Sequence, residues 1–270
     1  MPDTTIRFIK IAKEASLTAG KFLMENFGKL NTKDIEEKST NSFVTYVDKQ
    51  SEKMIVDMIK YNFPDHSIIA EEGSGNQINS DYAWFIDPLD GTTNYIQKLP
   101  HFSVSIAVQY NRKLVAGVVY NPILKEMFSA AEGQGAFLND EPIKIDDSLD
   151  MKLAVLATGF PHRIKEYLPI YLPAFQNILL QCSGIRRWGS AALDLCYVAC
   201  GRYNCYWELG TSPWDVAAGS VIVKEAGGVV TDFWGKENFL ENGFMIAGSK
   251  KIHDKLQEIL SFHFKNHKSN

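Results

Sequence analysis

The succession of apolar patterns along this chain predicts an α+β fold in which sheets and helices stack in layers. Three observations carry that reading: helical periodicity opens the chain, a series of short strand-like runs follows, and the remainder mixes strands with helices. A doubly wound parallel sheet would need strands and helices to alternate from the start, and they do not. At 270 residues with 45% hydrophobic content, the chain can bury a large core. We read it as a single domain over 1–270, built from two closely packed halves that meet near residue 145.

Phe8, Ile11, Ala12, Ala15, Ala19 and Phe22 recur at three-to-four spacing, which predicts an amphipathic helix over 4–27 with Gly28 just past its end. A second helix is predicted from Val47 to Asn62 through Ile55, Met58 and Ile59, closed by the Phe63-Pro64-Asp65 turn, so that Asp48 falls near its first turn. Two apolar runs, Ser67–Ala70 and Tyr82–Ile86, read as buried strands, and each ends in acid: Glu71-Glu72 and Asp87. Val104–Tyr110, Leu114–Tyr120 and Glu126–Ala131 then form an antiparallel meander. Beyond the charged Lys144–Lys152 segment come a strand over Leu153–Thr158, helices over Tyr167–Leu180 and Ser190–Cys200, and a strand over Asn204–Glu208. A helix over Trp214–Ala226 stops at Gly227-Gly228, and strands near Val229–Thr231 and Phe244–Ala247 precede a closing helix from Lys250. The polar stretch from His263 to Asn270 reads as a solvated tail.

Twenty-eight basic residues against 32 acidic give a net charge of -4, which leaves no chain-wide positive field, and nucleic acid is not an expected partner. No apolar stretch approaches the roughly 18 residues that cross a bilayer. Met1 to Lys10 lacks the apolar centre of a secretory signal, so a cytoplasmic protein without membrane association is expected. Cys182, Cys196, Cys200 and Cys205 include no C-x-x-C pair and no nearby histidine; Cys196 and Cys200 read as reduced thiols on a buried helix face, without chemistry.

The informative run is Asp87-Pro88-Leu89-Asp90-Gly91-Thr92-Thr93-Asn94-Tyr95. Two carboxylates leaving one buried strand end repel each other and call for a cation or a shared proton, and hard oxygen donors select magnesium, calcium or manganese. An EF-hand is a poor match, because the acids stand three apart and the twelfth position is Lys98. A glycosidase pair would flank a sugar, whereas acids three apart on a turn lie on one side of it. A glycine followed by hydroxyl residues can aim backbone N–H groups at a phosphate.

This run, with Ala70-Glu71-Glu72-Gly73 upstream and Pro213-Trp214-Asp215-Val216-Ala217-Ala218-Gly219 and Glu225-Ala226-Gly227-Gly228 downstream, resembles the signatures of the inositol monophosphatase family of metal-dependent, lithium-sensitive phosphatases. Arg187-Trp188-Gly189-Ser190-Ala191-Ala192 extends the resemblance, which covers nearly the whole chain and is similar above all to bacterial members and to archaeal-type enzymes that also cleave fructose 1,6-bisphosphate. It implies a layered αβαβα sandwich of the inositol monophosphatase and fructose bisphosphatase type, commonly a homodimer.

For the site, the resemblance implies that Glu71, Asp87 and the Leu89 carbonyl hold one magnesium ion and that Asp87, Asp90 and Asp215 hold a second. A third, weaker ion is implied beside Glu71, with Asp48 near it. Glu71 and Thr92 would orient the attacking water, with Asp90 as the third catalytic residue, and Leu89, Gly91 and Thr92 would border the phosphate. Asp90, Gly189, Ser190, Ala191, Glu208 and Asp215 would meet substrate hydroxyls. Relatives commonly carry an Asp before a Leu-Val-Thr stretch; this chain has Ser42-Phe43-Val44-Thr45, and the segment after Lys38 is one residue shorter. No histidine falls inside a motif, and Arg186 and Arg187 bear on a second phosphate or a dimer contact. The expected activity is hydrolysis of myo-inositol monophosphate. The alternatives are a fructose 1,6-bisphosphatase or dual-specificity sugar phosphatase, a histidinol phosphatase, a 3'-phosphoadenosine 5'-phosphate phosphatase, and a regulatory protein associated with transcription machinery.

Overall fold

The computed structural model describes residues 2–39, 42–162 and 164–267. Helix α1 (Pro2–Asn26) leads to a hairpin of β1 (Ile35–Ser39) and β2 (Ser42–Thr45), then to α2 (Tyr46–Asn62). Next come β3 (Ser67–Ala70), β4 (Tyr82–Asp90), the short helix α3 (Thr92–Ile96), β5 (Ser103–Tyr110), β6 (Lys113–Asn121), β7 (Glu126–Ala131), β8 (Gly135–Leu138) and β9 (Glu141–Ile143). The second half holds β10 (Val155–Thr158), α4 (Leu168–Leu179), β11 (Gly184–Arg186), α5 (Ala191–Ala199), β12 (Cys205–Leu209), α6 (Pro213–Glu225), β13 (Val229–Thr231), α7 (Phe239–Asn242), β14 (Phe244–Gly248) and α8 (Lys250–His263).

Strands β3 to β9 form one sheet in chain order; β3 runs parallel to β4, and the other neighbours are antiparallel, as the meander predicts. A second sheet has the order β11-β10-β12-β14-β13 and is mixed, with β10 parallel to both of its neighbours.

Successive side chains of a strand leave on opposite faces, so each strand feeds two cores. Trp84 and Ile86 of β4 and Ile106 and Val108 of β5 pack with Phe8, Ala15 and Leu23 of α1 and Ile55 and Ile59 of α2. From the other face, Phe85 and Ala107 meet Leu195 and Cys196 of α5 and Ala217 and Val221 of α6. That central core also takes Tyr206 of β12 and Met245 of β14, while Trp207 and Ile246 turn outward to Tyr171 and Ile178 of α4 and Leu256 and Leu260 of α8. The layers are therefore α1/α2, large sheet, α5/α6, small sheet, α4/α8, an αβαβα sandwich. Helix α6 lies close on β6 because Gly117 has no side chain: a Cβ there would stand 2.5 Å from the Ala218 carbonyl oxygen.

The first two helices match their predicted spans to within two residues, and β4 runs four residues further than its apolar run, through Asp87 to Asp90. Strand β10 starts at Val155 because 151–153 forms a turn of 3-10 helix. The β1–β2 hairpin, β8, β9, β11, α3 and α7 go beyond the predicted elements. Cys196 is buried, Cys200 is half-buried, and the four thiols are free. Phe264 is buried at the end of α8, so the tail is solvated only from Lys265 to His267 among its described residues; 268–270 lie outside them, as do Thr40 and Asn41 of the shortened segment after Lys38. Among the described residues no helix is long and apolar enough to cross a membrane.

Candidate active site

Parallel pairing of β3 with β4 sets two acids side by side. Glu71 follows the last residue of β3, and its N–H donates to the Ile86 carbonyl at 3.1 Å, so it leaves the sheet next to Asp87. Asp87 pairs with Ser105 and Asp90 with Ser103, which places three steps of β4 opposite two of β5. This one-residue bulge reverses the facing of the strand, so two acids three apart point into one cleft rather than to opposite faces. Asp87 Oδ1 accepts from the Leu89 N–H at 3.0 Å, which holds the turn.

Asp215 comes from the first turn of α6. Its Oδ2 accepts from the Ser212 N–H at 2.8 Å in a capping box, so the cap reading and the site reading of this acid hold together. Across the cleft, Ser190 is the N-cap of α5. Its hydroxyl donates to Asp90 Oδ2 at 2.5 Å, and the Ala192 N–H donates to the same oxygen at 2.9 Å. Asn94 ties the two loops together by donating to the His101 carbonyl at 2.8 Å and to the Trp188 carbonyl at 2.7 Å.

The resulting cleft has a volume of about 440 Å³. Glu71, Asp87, Leu89, Asp90, Gly91, Thr92, Gly189, Ser190, Ala191, Glu208 and Asp215 all line it. Burial pushes Asp87 well above the usual carboxylate range, and repulsion from Glu71, Asp90 and Asp215 adds to it. Burial likewise raises Asp215, and it carries Asp90 up to about 6 although the Ser190 and Ala192 hydrogen bonds oppose the rise. The Thr92 hydroxyl lies 3.1 Å from Asp48 Oδ1 and 3.0 Å from the Leu89 carbonyl oxygen.

The Inositol monophosphatase family model matches residues 6–265. The chain belongs to this family. A relative from Pasteurella multocida, named Nus factor SuhB, is 44% identical over 262 residues, covering 95% of this chain and 98% of its own. The crystal structure of extragenic suppressor protein suhB from Bartonella henselae superposes with a TM-score of 0.90 at 37% identity, covering 94% of this chain and 98% of that one. The inositol monophosphatase from Anabaena sp. PCC 7120 gives a TM-score of 0.84 at 39% identity over 95% and 96% of the two chains.

Members of the family are mostly metal-dependent phosphatases, and the donor set here fits a hard divalent cation. Glu71, Asp87, Asp90 and Asp215, four of the six acids on the cleft wall, and the Leu89 backbone offer only oxygen donors, and Asp87 and Asp90 are buried together. Among the described residues no three His, Cys, Asp or Glu side chains form a finished metal cage. Asp90 and Asp215 each commit Oδ2 to partners within the protein and leave Oδ1 for the cleft side. The one ammonium against these acids is that of Lys38 among the described residues; it pairs with Glu71 at 3.3 Å and also with Glu72.

Asp48 is not part of the cleft wall. It is buried in the capping box of α2, where Oδ2 accepts from the Thr45 N–H and hydroxyl, and its other oxygen supports Thr92. Arg187 lines the cleft and lies 5.9 Å from the centre of the Phe160 ring, whereas Arg186 is exposed at the end of β11. His162 borders the cleft although it belongs to no motif. Of the buried acids that escape the sequence reading, two bear on the site. Glu52 accepts from the Glu72 N–H at 2.5 Å and the Ser74 N–H at 2.8 Å, fixing the turn that carries Glu71. Its signal is an acid one helical turn after Asp48 on the face that holds Ile55 and Ile59. The other is Asp194 of α5.

Proposed function

We propose that this chain is a magnesium-dependent phosphomonoesterase acting on myo-inositol monophosphate or a related sugar phosphate. The observation that carries the proposal is the convergence of Glu71, Asp87, Asp90 and Asp215 from three separate elements on one cleft. In this reading Glu71, Asp87 and the Leu89 carbonyl hold one ion, and Asp87, Asp90 and Asp215 hold a second. Bound magnesium would supply an activated water and neutralise charge on the phosphate.

The residues of the chain do the positioning. A Thr92 hydroxyl that donates to Asp48 presents its lone pairs to water, and with Glu71 it orients the attacking oxygen. The Gly91 and Thr92 N–H groups, at the start of α3, receive the phosphate. Gly189, Ser190, Ala191, Glu208 and Asp215, with Asp90, face the alcohol portion and set its fit. Lys38 stands beside Glu71, where a third, weaker ion would compete with its ammonium.

The decisive experiment measures phosphate release from inositol 1-phosphate and from fructose 1,6-bisphosphate, with magnesium and with added lithium. Turnover of neither substrate overturns the proposal. A second reading, a regulatory protein associated with transcription machinery, is supported by relatives at 43–44% identity that carry the name Nus factor SuhB. Co-purification with RNA polymerase, equal for the wild type and for Asp90→Asn, would establish that role as separate from hydrolysis.

A further inference from the structure

Asp194 lies on α5, two residues beyond the Ala192 N–H that holds Asp90, and is one of the residues that line the cleft. It is 2% exposed, and its Oδ1 has no hydrogen-bond partner among the described residues. Leaving a polar group buried and unpaired is costly, and the fold retains one here. Its neighbours are already engaged. The Tyr206 hydroxyl donates to Glu208 Oε2 at 2.6 Å, and a Cβ on Gly159 would stand 1.9 Å from Glu208 Cδ, so the chain closes tightly on that side. Arg187, also on the wall, brings a positive charge close enough to act on Asp194 without a hydrogen bond to it.

We propose that Asp194 is a specificity-determining residue that hydrogen-bonds a hydroxyl of a polyhydroxylated leaving group, beside Glu208. This rests on the phosphatase reading above and deepens it. The nearby guanidinium disfavours a cationic substrate group, which would face Arg187, and leaves a neutral polyol as the matching chemistry. Burial, with Glu208 and Asp90 close by, holds the Asp194 carboxyl well above its usual range. Its free oxygen accepts from a hydroxyl, and the protonated form also donates to one.

The test compares kcat/KM of the magnesium-loaded enzyme for inositol 1-phosphate and for p-nitrophenyl phosphate, an ester without hydroxyls on its leaving group. Asp194→Ala is expected to lower the first by about tenfold to a hundredfold and to leave the second within about twofold. Asp194→Asn, which still donates and accepts, is expected to keep most of the inositol phosphate activity. The Tm of Asp194→Ala should equal or exceed that of the wild type, because an unpaired buried group is gone. Should Asp194→Ala not fold, Asp194→Leu, which keeps the branching of aspartate at Cγ without a polar atom, takes its place in the same comparison. A parallel loss on both esters overturns the proposal, as does no loss on either. Asp194→Asn as damaging as Asp194→Ala also overturns it, since charge rather than hydrogen bonding would then be recognised. A wild type inactive on both esters overturns the phosphatase reading and this subsite together, whereas the other failures leave that reading standing.

Discussion

Asp87 and Asp90 are three residues apart on one strand and face the same cleft, because a single extra residue is inserted in β4 opposite β5. In a regular strand they would point to opposite faces. The bulge converts a sequence spacing unsuited to a strand into a paired-acid site, and the partners of Asp90 lock it from the other half of the molecule.

Asp90→Asn keeps an oxygen for the Ser190 hydroxyl and the Ala192 N–H, so the fold should persist while charge toward the cation is lost. We expect kcat for phosphate release to fall by about three powers of ten, since each factor of ten corresponds to about 1.4 kcal/mol. Near-normal turnover would contradict the proposed role of Asp90 as a metal ligand.

The pH dependence of the metal-free protein has a definite sign. A carboxyl whose folded-state value lies above its unfolded value stabilises the fold below the unfolded value, and that contribution disappears as pH rises through the folded one. For Asp90, at about 6 in the fold, the loss spans the interval from the ordinary carboxylate value near 4 up to about 6 and amounts to about 3 kcal/mol. In chelator, the Tm of the wild type relative to Asp90→Asn should therefore fall between pH 4 and pH 6.5. Magnesium should raise the wild-type Tm more at pH 7.5 than at pH 5; an equal rise at both would contradict this account.

Glu52→Ala removes the acceptor for the Glu72 and Ser74 N–H groups and for the Ser74 hydroxyl. A loss of about 2 kcal/mol in stability follows from stranding these donors. Because the same turn presents Glu71, magnesium affinity measured by calorimetry should drop by about tenfold or more. Unchanged affinity would mean that Glu71 is held by other contacts.

Gly91 has φ of 95° and precedes α3; a Cβ there would lie 3.1 Å from the His101 carbonyl oxygen and 3.2 Å from that of Gly189. Gly91→Ala should cost about 1–3 kcal/mol by denaturant unfolding. It should also lower kcat, because relieving the contact shifts the Thr92 backbone. A variant as stable as the wild type would show that the loop absorbs the methyl group freely.

Much of the fold was legible from periodicity. Helices α1 and α2 bury one face against a sheet, and strands β5, β6 and β7 alternate or run apolar over six or more residues, so burial imprints itself on the sequence. The β1–β2 hairpin left no such imprint: Ile35-Glu36-Glu37-Lys38 covers no core, and a strand without a buried face needs no apolar alternation. Strands β9 and β11 have three residues each, too few to show a period.

The chain alone determined its family, its layered class and the identity of the acids, because those depend on local composition and on motifs a few residues long. The tertiary structure alone decided which way the acids point and what holds them. A bulge is defined by the neighbouring strand rather than by the strand that carries it, and the Ser190 hydroxyl that fixes Asp90 lies 100 residues further along the chain. Glu52 and Asp194 became visible only there, since the burial of an acid outside any motif is a property of packing and has no spacing to read.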